Sequence, residues 1–362
     1  LIKGPPGRGA WRAPSGSQRF WFSPEQGGNL TRQALAALGV MPDVRLAPPS
    51  HDRSVGGRFA QIMDRLDEAF ARIEPDMVLV QGDTSSTGAG AMAAFGRRIP
   101  VGHVEAGLRT FDLDRPFPEE AWRCVVGQLA TVHFAPTLAA ADNLRRAGVA
   151  SDRIHVTGNT GIDTVRLIGD RTTPEPLTNG LRRILVTLHR RENWETGLED
   201  VLRALLTLRD RLPDVEIVFV AHANPMLRER VFAYLGDQPR IRIIGPLDYP
   251  AFIAQLKSAS LVLSDSGGVQ EEAPVFGAPV LVLRESTERM EAVEAGVAKL
   301  VGVNPQAIVK ETLRLMSDEA KRMEMVRAVS PFGDGRASGR IAHILESVLI
   351  PERDDLLIQA AV

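Results

Sequence analysis

From Leu30 onward, short and nearly continuous apolar runs alternate with longer stretches of helical periodicity. The strand candidates are MVLVQGD (77–83), IPVGHVEA (99–106), TVHFAP (131–136), RIHVTGN (153–159), RRILVTLH (182–189), VEIVFVAH (215–222), RIRIIGP (240–246), LVLSDS (261–266) and APVLVLRE (278–285). Unbroken apolar runs of this length indicate parallel strands covered on both faces. Between them lie FAQIMDRLDEAFARI (59–73), LEDVLRALLTLRDRL (198–212) and PAFIAQLKSA (250–259), which read as helices. The rhythm predicts an α/β protein of two Rossmann-like doubly wound domains facing a cleft. A polar stretch with Pro, Gly and Asn, GDRTTPEPLTNGLRR (169–183), reads as the linker between them. The expected division is residues 1–170 and 171–345, with a tail over 346–362. Residues 1–29 are rich in Gly and Pro and show no such rhythm.

Composition narrows the function classes. The chain has 362 residues, 44% hydrophobic and 24% charged, with 43 basic and 45 acidic residues and a net charge of −2. That balance carries no basic footprint for nucleic acid. One cysteine, Cys124, leaves no disulfide within the chain and no cysteine-rich zinc site. No apolar run approaches the roughly 20 residues of a membrane span, and the opening segment lacks the apolar core of a signal peptide. The expectation is a cytoplasmic enzyme without a membrane or nucleic-acid partner.

Ligands of doubly wound sheets bind outside the carboxyl ends of the strands, and those ends are polar here. They carry Asp83; His103 and Glu105; His189, Arg190 and Arg191; His222 and Asn224; and Asp265-Ser266-Gly267-Gly268 followed by Glu271-Glu272. Taken singly, Asp83 before Thr-Ser-Ser reads first as a helix N-cap, and His103 and His222 read as core histidines. Five polar ends together point to a site. SDSGGVQEEAP (264–274) runs from a strand through Ser-Gly-Gly into a short helix, an arrangement that suits phosphate. Acids just after it, Glu271 or Glu272, suit a ribose diol. Neither a P-loop nor a G-x-G-x-x-G fingerprint is present.

Taken in order, VLVQGDTSST (78–87), IPVGHVEAGLRT (99–110), PFPEEAWR (116–123), ILVTLHRREN (184–193), HANP (222–225), DSGGVQEEAP (265–274), TERMEAVEAG (287–296) and PFGDGRAS (331–338) resemble the non-hydrolysing UDP-N-acetylglucosamine 2-epimerases. The resemblance runs from about Leu30 to about Leu345. It implies the GT-B-like architecture, a UDP-sugar substrate, a homodimer, no cofactor and no metal. It also implies a helix near 337–349 that returns to the N-terminal domain. By position, Asp83, Glu105 and Glu119 match the catalytic carboxylates, and His189 a contact beside the diphosphate. Ser266, Gly267 and Gly268 match the phosphate cradle, and Glu272 the ribose acid. Arg190 and Arg289 match anion or sugar contacts.

The implied reaction is elimination of UDP to a glycal followed by re-addition, for surface polysaccharide precursors. Asp112-Leu-Asp114 has the spacing of a metal-binding D-x-D, but is expected to be solvated or to order its loop. The resemblance departs at the start of the chain. The family's first strand with its G-T-R-P-E turn has no counterpart, and Pro24-Glu25-Gln26-Gly27 stands where T-G-Q-H falls. A hydrolysing epimerase, a glycosyltransferase of the same architecture and an inactive UDP-sugar-binding protein are the competing readings.

Overall fold

The computed structural model describes residues 20–23, 39, 41–50, 52–189, 194, 197–222 and 224–349. The chain forms two compact units, one of residues 1–164 and 332–362 and the other of 165–331.

In the first unit, β1 (Phe22–Ser23) pairs in parallel with β2 (Val44–Arg45). Helix α1 (Val55–Ile73), strand β3 (Val78–Gln81), α2 (Ser85–Gly96), β4 (Val101–Val104), α3 (Glu119–Leu129), β5 (Val132–Ala135), α4 (Leu138–Arg146) and β6 (Ile154–Val156) follow. The four strands make a parallel sheet in the order β3-β4-β5-β6. Short polar side chains start α1, α2 and α4. Ser54 accepts from Gly57 N at 3.1 Å, and Thr137 from Ala140 N at 3.1 Å. At α2 the cap is Thr84, whose hydroxyl accepts from Thr87 N at 3.4 Å. The N-cap reading of Asp83 is therefore displaced by one residue, and its carboxylate is left for other work.

Helix α5 (Thr160–Arg171) carries the boundary between the units, between Thr164 and Val165. The polar stretch 169–183 contains the end of α5, a 3-10 turn at Thr178–Gly180 and the first residues of β7 (Arg182–Thr187). The second unit continues through α6 (Leu198–Arg211), β8 (Val215–Val220), α7 (Pro225–Leu235), β9 (Ile241–Ile244), α8 (Tyr249–Ser258), β10 (Ala259–Ser264), α9 (Gly267–Glu272), β11 (Val280–Val282), α10 (Met290–Glu294), β12 (Ala298–Leu300), α11 (Pro305–Ser317) and α12 (Glu319–Arg327). Its six strands are all parallel, in the order β12-β11-β10-β7-β8-β9. Counted within the unit this is 6-5-4-1-2-3, the doubly wound dinucleotide-binding order. Leu, Ile and Val from β7, β8, β10 and β11 pack with α6 and α11 in one core.

Helix α13 (Ala337–Leu349) belongs to the first unit. Its Ile341 and Leu345 cover Val132 and Phe134 of β5, while Val80 and Val101 face Phe59, Ile62 and Leu66 of α1 and Val126 of α3. Both faces of that sheet are thus apolar and covered, which is why the strands read as unbroken apolar runs. Asp163 fixes the start of α13, accepting from Ala337 N and Ser338 N at 3.1 and 2.8 Å. The doubly wound α/β class holds. Every strand predicted from the apolar runs is present, whereas β1 and β2, of two residues each, and β12, which carries Lys299 at its centre, are not marked by such runs. Residues 24–27 lie outside the described residues. Among the described residues, no helix is long and apolar enough to cross a membrane.

Candidate active site

Neighbouring strands β7 and β10 connect onward in opposite directions, so the sheet of the second unit has its topological switch point between them. A crevice for ligand opens at the carboxyl ends of such a pair. Side chains lock these two ends together. Thr187 Oγ1 and Ser264 Oγ stand 2.7 Å apart, and Asp265, fully buried, accepts from His189 N at 2.8 Å. Ser264 Oγ also accepts from Ser266 N at 3.1 Å.

Ser266 leads into α9 without using its hydroxyl as a cap. A Cβ on Gly267 would stand 3.4 Å from Arg289 Cζ, an ordinary contact distance, so the guanidinium lies directly over this turn. Arg289 Nε donates to Glu271 Oε1 at 2.8 Å. A Cβ on Gly268 would stand 3.9 Å from Glu272 Oε1. The fold therefore collects Ser266, Gly267, Gly268, Glu272 and Arg289 around one turn, with His189 on the adjoining strand end. Arg190 lies outside the described residues.

The exposed His189 ring is 6.0 Å from that of His222, which in turn lies 4.4 Å from Trp194. Its pKa is lowered, first by desolvation on the protein side and also by His222, against the opposing pull of Asp265. At neutral pH it is thus a neutral N–H donor rather than a cation. Trp194 and Tyr249, whose hydroxyl donates to Glu272 Oε1 at 2.9 Å, do not stand out in the sequence. No periodicity or motif marks either one.

In the first unit, Asp83 and Glu105 follow the adjacent strands β3 and β4, joined by Gly82 N donating to Val104 O at 3.0 Å. Glu105 has φ +62°, a left-handed conformation uncommon for a residue with a side chain. It turns the carboxylate back, to within 3.4 Å of where a Cβ on Gly82 would sit. Such strain collects at functional sites. Glu119 opens α3, and Arg123 lies one turn further along the same face.

Arg123 Nε and Nη2 both donate to Asp83 Oδ2, at 2.9 and 2.7 Å, and Nη1 donates to Glu120 Oε2 at 2.9 Å. Glu120 is fully buried, and its other oxygen accepts from Phe111 N at 3.1 Å. One guanidinium thus ties Asp83, the start of α3 and the loop before it. Glu120 is thus structural, as expected from its place beside Glu119, whereas nothing in the sequence marks Arg123 as its partner.

Asp112 orders its own loop by accepting from Asp114 N at 3.1 Å. His103 is a core histidine, as its burial implied. Its Nε2 must carry the proton, because Gly82 O can only accept, at 2.9 Å.

Comparison with known proteins bears directly on this arrangement. Residues 25–346 match the family model described as UDP-N-acetylglucosamine 2-epimerase. The chain is 43% identical over 327 residues to the UDP-N-acetylglucosamine 2-epimerase of Escherichia coli K12, covering 87% of each chain. It superposes on a crystal structure from Listeria monocytogenes with a TM-score of 0.84 and 38% identity, covering 89% of this chain and 87% of that one. A Neisseria meningitidis UDP-GlcNAc 2-epimerase solved with UDP-GlcNAc bound gives a TM-score of 0.79 at 36% identity, over 88% of this chain and 89% of that one. The family match contains every residue brought together above, and on that basis the chain belongs to the UDP-N-acetylglucosamine 2-epimerase family.

Proposed function

We propose that the protein interconverts UDP-N-acetylglucosamine and UDP-N-acetylmannosamine without hydrolysing either. The observation that carries this reading is the family match over residues 25–346, within which all the assigned residues fall. The C2 hydrogen leaves as a proton to a carboxylate. The C1–O electron pair departs with UDP, and a C1–C2 double bond forms. A diphosphate oxygen then re-forms the bond at C1 while C2 takes a proton on its other face. Atoms and electrons balance with no oxidant, so no cofactor is invoked.

Asp83, Glu105 and Glu119 are assigned to the proton transfers, which need more than one acid/base group because loss and gain occur on opposite faces. Ser266 and the Gly267–Gly268 backbone are assigned to the diphosphate. His189, Arg190 and Arg289 are assigned to donors and charge where the departing oxygen becomes negative. Glu272 is assigned to the ribose hydroxyls. The resemblance further supports a cytoplasmic homodimer serving polysaccharide precursors, and sedimentation of the purified protein at twice the chain mass is the expected result.

Incubation with UDP-N-acetylglucosamine in deuterated water, followed by NMR, tests the reaction. UDP-N-acetylmannosamine carrying deuterium at C2 is expected. Free N-acetylmannosamine with UDP would replace the reading by a hydrolysing epimerase. Saturable binding without turnover would leave a UDP-sugar-binding protein.

A further inference from the structure

Tyr249 and Glu272 come from different elements of the second unit, the first residue of α8 and the last of α9. Backbone features set the position of the tyrosine. Asp248 caps α8 by accepting from Ala251 N at 2.9 Å, and Pro250 fixes the next backbone angle. Tyr249 is half-buried, and its pKa is pushed up, first by burial and then by the carboxylates of Glu272 and Glu271. The phenol is therefore a permanent O–H donor, and Glu272 Oε1 accepts from it at 2.9 Å.

The two neighbouring acids are held differently. Glu271 Oε1 takes a guanidinium N–H of Arg289, whereas the bond from Tyr249 to Glu272 comes from a neutral donor. A hydrogen bond to one carboxylate oxygen fixes the direction of the group, and an ionised carboxylate has further lone pairs that can accept from ligand hydroxyls. The gripped oxygen also lies over Gly268, at the turn assigned to diphosphate.

We propose that Tyr249 is a positioning residue for ribose recognition, holding Glu272 in the orientation from which it accepts from the nucleotide's sugar hydroxyls. The proposal rests on the assignment of Glu272 to the ribose made above. Its test compares the Kd of UDP with that of 2′,3′-dideoxy-UDP, by calorimetry, in the wild type, Tyr249→Phe and Glu272→Gln.

In Tyr249→Phe, UDP is expected to weaken about tenfold, the worth of one hydrogen bond to a charged acceptor, with dideoxy-UDP unchanged. Equal weakening of both ligands, or of neither, overturns the proposal, because a packing role does not distinguish them. Glu272→Gln probes the underlying assignment separately. It should abolish most of the preference for UDP, and a preference that survives in this variant overturns the ribose assignment whatever the tyrosine does.

Discussion

The adjacent acids Glu119 and Glu120 have opposite fates. Glu120 is fully buried against Arg123, while Glu119 stays half-exposed. Their placement at the start of a helix was legible from PFPEE, but which one faces inward depends on the helix phase that packing sets. Replacing Arg123 with Met strips the buried Glu120 of its cation and Asp83 of its fork. Urea denaturation should show a loss of about 3–5 kcal/mol, the usual cost of an orphaned buried charge. Glu120→Gln keeps a hydrogen-bonding group of the same shape and should lose less. Gly107 is a second single-residue constraint. It has φ +90°, and a Cβ there would stand 2.1 Å from Ala140 O. Gly107→Ala is expected to cost at least about 2 kcal/mol in the same measurement, from backbone strain plus the displaced helix.

Among the elements, β7 is the buried strand that the apolar run RRILVTLH predicts. Its second arginine behaves contrary to its residue type. Arg183 is 0% exposed and lies directly across from Glu216 of β8, which is 3% exposed. Its Nη2 and Nε reach Glu216 Oε1 at 2.6 and 2.7 Å, Nη1 reaches Gln255 Oε1 at 3.0 Å, and Nη2 reaches Pro176 O at 2.7 Å. The pairing register alone makes this possible, and a single strand sequence does not contain it. Arg183→Met should destabilise the second unit by about 3–5 kcal/mol, and adding Glu216→Met should recover most of that loss, because it is the unpaired charge that is expensive. Thermal and urea unfolding of the single and double variants would check both outcomes.

At the scale of the whole molecule, pH acts through histidines buried side by side on β4 and β5. His103 and His133 face each other in register, and burial first of all lowers their pKa values to about 4 and about 3. An unfolded chain takes up these protons near pH 6.5, whereas the folded one does not until much lower pH. Stability is therefore fully present above about pH 6.5 and falls as the pH drops toward 4, by about 1.4 kcal/mol per pH unit for each histidine. Urea midpoints between pH 7 and 5 should fall with acidity, and His133→Gln should make that slope shallower. The amino-acid sequence by itself determined the α/β class, the nine strands marked by apolar runs and the strand-end positions of Asp83, Glu105, His189 and Ser266. Apolar runs and short polar motifs are local properties, and local chemistry dictates them. The tertiary structure alone decided that β7 and β10 are neighbours at the switch point, that Arg123 binds Asp83 from 40 residues away, and that Tyr249 meets Glu272. These are long-range pairings, fixed by sheet order and helix packing, and no window of sequence encodes the partner of a side chain on a different element.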